Sequence, residues 1–160
     1  MLDEAKTYLD TQEYKKAQSI LVPLATANPD DAEINFYTAS SFDALGLEKG
    51  AIPYYQASLA NGLKSELRQR AYVQLGSSLR CIGNYNEALA ILQEGLTEFP
   101  NNAAIKTFLA ITQYNLNTHQ NSTQLLLNLL VETSSDEWIQ NYKRALGFYA
   151  EHLDETWETE

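Results

Sequence analysis

The stretch Tyr72-Val73-Gln74-Leu75-Gly76-Ser77-Ser78-Leu79, followed after Gly83 by Tyr85-Asn86-Glu87-Ala88-Leu89-Ala90-Ile91-Leu92-Gln93-Glu94-Gly95, decides the fold. In its first half Tyr72, Leu75, Gly76 and Leu79 share one face at helical spacing. In its second half Tyr85, Ala88, Leu92 and Gly95 do the same. Gly76 removes a side chain where a neighbouring helix must come close. Gly83 stops the first helix, because glycine accepts the left-handed conformation of a C-terminal cap. Two helices joined by a tight turn are therefore expected between about Glu66 and Pro100.

The same register recurs along the chain. Ala17, Ala51, Ala88 and Ser122 stand 34, 37 and 34 residues apart. Three more sets keep these intervals: Ala5, Ala39, Gly76, Ala110; Leu21, Tyr55, Leu92, Leu126; and the turn set Gln12, Gly46, Gly83, Asn117. One period shared by four registers marks an array of units of about 34 residues, with one insertion of three. The units run over about 2–30, 31–64, 65–101 and 102–133. Pro29 and Pro100 close two of them, and Leu63 takes the same slot just before the insertion. Asp30 with Glu33, and Ser134 with Glu137, are spaced as capping boxes, and Asn101 or Asn102 can cap the fourth unit. Gln12 departs from the glycine or asparagine of the other turns, so the first turn is expected to be looser. After Ser134 a last helix, about 135–154, presents Trp138, Tyr142, Ala145, Tyr149 and Leu153 as an apolar stripe that covers the end of the array, with Lys143 and Arg144 on its wet side. Residues 155–160 form an acidic tail, so 1–154 make one all-α domain of nine helices.

These residues resemble the tetratricopeptide repeat. Its pattern runs W-x2-L-G-x2-Y, then A-x3-F, then P. The third unit matches with Tyr72, Leu75, Gly76, Leu79, Ala88, Leu92 and Pro100. The second matches with Asn35, Thr38, Ala39, Phe42, Ala51 and Tyr55; the first with Ala5, Tyr8, Ala17, Leu21 and Pro29; the fourth, more weakly, with Leu109, Ala110, Ser122 and Leu126. The small bacterial proteins of tetratricopeptide repeat group five are the nearest pattern. The resemblance implies a right-handed superhelix whose first helices line a concave groove, and a role in protein–protein interaction. It implies no single partner, because the fold hosts many.

The remaining chemistry is sparse. Acidic residues outnumber basic ones by 21 to 11, for a net charge of −10, which disfavours binding to nucleic-acid phosphates. Glu151, Asp154, Glu155, Glu158 and Glu160 supply half of that charge from the last ten residues. No apolar run approaches the ~20 residues that span a bilayer, and the start Met1-Leu2-Asp3-Glu4 has no export pattern. Cys81 stands alone and His119 and His152 lack a neighbouring second ligand, so neither a metal site nor a nucleophile–base pair is in view. His119 fills the slot of Tyr14 and Tyr85, where packing is its expected role. The expectation is a non-catalytic, cofactor-free protein of the cytoplasm, monomeric or weakly self-associating. A self-association module, a regulatory domain of a larger assembly and an enzyme are the alternatives.

Between the packing slots of the first helices, the groove of the implied fold is lined by Phe36, Ser40 and Asp43 in the second unit, Arg70, Ser77 and Arg80 in the third, and Thr107, Ile111 and Tyr114 in the fourth. This mixture suits a peptide or a partner helix, with Phe36 and Tyr114 as aromatic anchors. Arg68, Arg70 and Arg80 concentrate positive charge in an acidic protein. They either hold an acidic segment of the partner or pair internally with Glu33, Asp43 or Glu66. The lysine and asparagine clamp with which some of these domains grip chaperone C-termini is not reproduced, since Phe36, Ser40, Val73 and Ser77 occupy its slots. Cys81 is expected to be buried or at the groove edge. The tail reads as solvated, with Trp157 docking in the groove opposite the arginines as the alternative.

Overall fold

A computed structural model describes residues 1–158; Thr159 and Glu160, the end of the expected tail, lie outside the described residues. Ten helices occur among the described residues: α1 (Leu2–Asp10), α2 (Tyr14–Ala27), α3 (Ala32–Asp43), α4 (Glu48–Ala60), α5 (Ser65–Cys81), α6 (Tyr85–Glu98), α7 (Ala103–Asn115), α8 (His119–Thr133), α9 (Glu137–Asn141) and α10 (Lys143–Glu151). Each of α1 to α8 packs on the next. The odd helices also touch one another, α1 on α3, α3 on α5 and α5 on α7, whereas α2, α4, α6 and α8 make no contact among themselves. Odd helices thus form an inner layer and even helices an outer one, which is the architecture of a helical-pair solenoid.

The turns are built alike. Gln12, Gly46, Gly83 and Asn117 have φ of 61°, 69°, 84° and 60°. Past each, an amide returns to the preceding helix: Glu13 to Tyr8 O (2.7 Å), Leu47 to Phe42 O (3.0 Å), Asn84 to Leu79 O (2.9 Å) and Thr118 to Gln113 O (3.0 Å). This is a Schellman closure that satisfies a carbonyl left open at the helix end. The first turn is therefore as tight as the rest: Gln12 takes the left-handed conformation without being glycine, because the surrounding hydrogen bonds fix it.

The small slots explain how close the layers come. Ala5, Ala17, Ala39, Ala51, Ala88 and Ala110 are fully buried, and Ser122 nearly so. A Cβ on Gly76 would stand 2.6 Å from Leu92 Cγ, and one on Gly95 would stand 2.7 Å from Tyr72 Cγ. Glycine in both helices of the third unit lets Leu92 and Tyr72 fill the space between them.

The three-residue insertion becomes helix. The connections before α3, α5 and α7 are equally long, but α5 starts earlier relative to Gly76 than α3 and α7 start relative to Ala39 and Ala110. The result is just over one extra turn at its N-terminus. Asp31, Arg68 and Asn102 share one register position. Asp31 and Asn102 are N-caps, accepting from Ile34 N and Ile105 N at 2.9 Å each, whereas Arg68 lies inside α5. The cap of α3 is thus Asp31, one residue beyond the expected Asp30, and the cap of α9 is Asp136, which accepts from Ile139 N at 3.1 Å, in place of Ser134.

The C-terminal element differs most from expectation. The single helix over about 135–154 is two, broken at Tyr142 (φ −102°, ψ 10°), so the count is ten. α10 packs on α8 but not on α7, and so does not join the inner layer. Ala150 is buried, whereas Trp138, Tyr142 and Tyr149 of the expected stripe are exposed. The stripe fails because the break at Tyr142 shifts the phase of everything after it. Lys143 and Arg144 are exposed.

These contacts set the sign of two glycine substitutions. Gly76→Ala gains helix propensity but drives a methyl into Leu92, with a net loss of about 1 kcal/mol or more in urea unfolding. Gly147→Ala in α10 meets no atom within 4 Å and raises stability by ~0.5–1 kcal/mol. Equal signs for the two variants contradict the packing described here.

Candidate binding groove

The inner layer holds two adjoining cavities. One, of about 340 Å3, lies among α1, α3 and α5 and is lined by Lys6, Tyr14, Tyr37, Ser40 and Arg70, among others. The other, of about 300 Å3, lies between α5 and α7 and is lined by Gln69, Arg70, Val73, Gln74 and Asn102, among others. Arg70 borders both. Its guanidinium carbon sits 5.6 Å from the centroid of the Phe36 ring, and no carboxylate pairs with it among the described residues.

Phe36 is the main correction to the sequence reading. It is fully buried against Tyr37 (5.3 Å between centroids) and Tyr55 (6.0 Å), so it cannot anchor a ligand. Its ring fills the gap between α3 and α5, and Arg70 lies over it as a lid. The aromatic residue that lines the groove in this unit is the next one, Tyr37.

Asp43 is half-buried and committed internally. Tyr55 donates from its hydroxyl to Asp43 Oδ2 and Ser78 to Oδ1, both at 2.8 Å, tying α3, α4 and α5 together. Burial pushes the Asp43 carboxyl above the ordinary range, and the Ser78 and Tyr55 hydrogen bonds oppose that shift. Arg80 donates from Nε to Asn115 Oδ1 at 2.7 Å, an amide in place of the expected carboxylate, and so joins α5 to α7. Ser40, Ser77, Thr107 and Ile111 are half-exposed; Ser40 and Thr107 donate to the carbonyls of Phe36 and Ala103 within their own helices. Tyr114 is 62% exposed and lies 5.0 Å from the ring of His119. Cys81 is exposed and free, contrary to the usual burial of such residues.

Sequence reasoning missed Lys6, Tyr37, Gln69, Gln74 and Asn102. Lys6 pairs with Glu33 at 2.5 Å and lies 4.7 Å over Tyr37; Asp10 borders the larger cavity and Glu66 the smaller, neither within ion-pair distance of Arg70. Gln74 Oε1 is buried without a hydrogen-bond partner at the edge of the smaller cavity. Tyr37 and Gln74 share one register position, immediately after Phe36 and Val73, so the repeat alignment itself held that signal. Among the described residues no group of three His, Cys, Asp or Glu side chains is placed to hold a metal ion, and no helix is long and apolar enough to cross a membrane.

Arg68 belongs to the scaffold. From the extra turn of α5 it donates to Glu98 Oε1 (2.6 Å), to the carbonyls of Leu59 (3.1 Å) and Leu63 (3.4 Å), and to the Tyr72 hydroxyl (3.0 Å). That hydroxyl in turn donates to Glu94 or Glu98, each 3.0 Å away.

Eight helices packed in sequence as pairs, with cavities along the layer of odd helices, define an all-α repeat solenoid. The chain belongs to the Tetratrico peptide repeat family, whose group-five model matches residues 32–153. The match begins at the first residue of α3; α1 and α2 lie before it and repeat the same turn geometry. No curated protein matches the chain.

Arg68→Met is expected to lower stability by ~1–3 kcal/mol near neutral pH, because two carbonyls, a buried hydroxyl and a carboxylate lose a charged donor. Arg68 holds the Glu98 carboxyl below its ordinary range. A depressed carboxyl contributes stability that is present above its unfolded-state pKa and lost as pH falls through the folded value. The gap between wild type and Arg68→Met in urea unfolding therefore narrows in the acid range; a gap independent of pH contradicts the pairing.

Proposed function

We propose that the protein is a protein–protein interaction module that takes an acidic peptide, or the acidic face of a partner helix, along its inner groove. Family membership supports the interaction role, since these repeats are typically non-catalytic binding modules. The observation that carries the acidic preference is Arg70, which borders both cavities, rests on an aromatic ring and has no carboxylate partner among the described residues. A guanidinium placed over an aromatic face at cation–π range, with no carboxylate already on it, can offer two parallel hydrogen bonds to a ligand carboxylate. Gln74 Oε1, lacking a donor, suits a peptide N–H beside that carboxylate. Ser40, Ser77, Arg80, Thr107, Ile111 and Tyr114 extend the surface along α3, α5 and α7. Phe36 and Asp43 contribute by holding that surface in place.

An exposed free thiol such as Cys81 persists in a reducing compartment, which supports a cytoplasmic location. The protein acts there as a monomer or a weak homo-oligomer.

The test is peptide selection against the immobilised protein, followed by calorimetric titration of the recovered peptides. Recovered sequences are expected to carry Asp, Glu or a free C-terminal carboxylate. Arg70→Ala weakens them by about 10–100-fold, and Arg70→Lys restores little, because a point charge does not reproduce the planar fork. Peptides without an acid that bind Arg70→Ala as tightly as wild type contradict the assignment.

A further inference from the structure

We propose that the C-terminal end carries a second binding surface, an acidic aromatic patch that takes a cationic segment of a partner protein. Four rings build it. Phe148 and His152 stack with centroids 4.3 Å apart, and Trp157 folds back to lie 5.7 Å from Phe148 and 5.9 Å from Tyr149. Trp157 therefore sits on α10, not in the groove opposite the arginines. Convergent aromatic side chains normally bury one another, yet Phe148, Tyr149 and Trp157 remain 49%, 50% and 54% exposed. A contiguous aromatic surface of this kind on a water-facing helix marks an interaction site.

Charge selects the occupant. Lys143 and Arg144 are exposed at the start of α10, one turn before Phe148; past the rings the charge is acidic only, with Glu151, Asp154, Glu155 and Glu158 among the described residues and no Lys or Arg. Glu151 accepts from Gln124 Nε2 at 2.6 Å; Asp154, Glu155 and Glu158 have no cationic partner among the described residues. The faces of aromatic rings attract cations, and carboxylates on the same short segment of chain add a longer-range attraction. A second copy is a poor occupant, because two-fold pairing sets the same patch against itself and brings carboxylates onto carboxylates. An anionic lipid surface is repelled for the same reason. A protein segment of Arg or Lys interleaved with apolar residues meets both the rings and the acids. Since α10 leans on the outer helix α8 and not on α7, this patch is separate from the groove, and the two surfaces prefer partners of opposite charge.

The chain has two tryptophans, so Trp138→Phe leaves Trp157 as a single reporter inside the patch. Titration of this variant with a short amidated peptide of alternating arginine and leucine is expected to give a saturable change in Trp157 emission that weakens with added salt. Combining it with Asp154→Asn, Glu155→Gln and Glu158→Gln weakens binding by about tenfold or more at unchanged circular dichroism, and replacing arginine by glutamine in the peptide abolishes the response. Arg70→Ala leaves this binding unchanged, which separates it from the groove. Absence of a saturable response, or equal binding by the charge-neutralised variant, overturns the proposal. So does an emission change produced by raising protein concentration alone or by adding anionic vesicles, which assigns the face to a second copy or to lipid.

Discussion

The structure depends on the close approach of paired helices at the small-residue slots. Gly76 against Leu92, and Gly95 against Tyr72, leave no room for a methyl group in the third unit, and the buried Ala5, Ala39 and Ala110 hold the position of Gly76 in the others. Close backbones keep each pair thin enough for the next odd helix to reach the previous one. That contact makes α1, α3, α5 and α7 a continuous inner layer. Without it the pairs would splay and the cavities between odd helices would open to solvent. Burial in such an array is local, each unit covering its neighbour, so every slot must be right in every unit.

Two kinds of polar link then fix one unit on the next. Asp43 gathers hydroxyls from α4 and α5 at the inner edge, and Arg68 gathers carbonyls, a hydroxyl and a carboxylate around the base of α5. Arg68 can do this because α5 is extended by just over a turn, turning a capping position into a helical one. Two residues on, Arg70 holds the register position of Glu33 and Ala104, which are helical in α3 and α7 as well; it lies over Phe36 and borders both cavities. The local lengthening of the repeat thus supplies the brace, while the cation at the cavities comes from a position every unit has. Of the three arginines that stand out in the sequence, one serves the scaffold, one bridges to an amide, and one is left open.

Much of the fold was legible because it rests on periodicity. The recurring small and apolar residues located all eight repeat helices and their turns, and Gly76 was read correctly as a contact. What escaped was phase. Phe36 and Tyr37 are adjacent, and which of them faces the groove depends on how the neighbouring helix crosses, a property of packing rather than of one helix. The last element failed for a similar reason: its apolar residues fit one uninterrupted helix on paper, but the break at Tyr142 rotates Tyr149 toward water. Asp43 shows a third limit. It reads as a groove residue or an arginine's partner until the two hydroxyls that hold it are known, and these come from Tyr55 and Ser78 in other helices.

The central claim is that ligands bind the inner layer around Arg70. Mapping amide chemical-shift changes in labelled protein on titration with an acidic peptide tests it directly. The account predicts that the largest changes cluster on α1, α3, α5 and α7, around Lys6, Tyr37, Arg70 and Gln74. Changes confined to the outer helices α2, α4 and α6, or spread evenly over the surface, would contradict it.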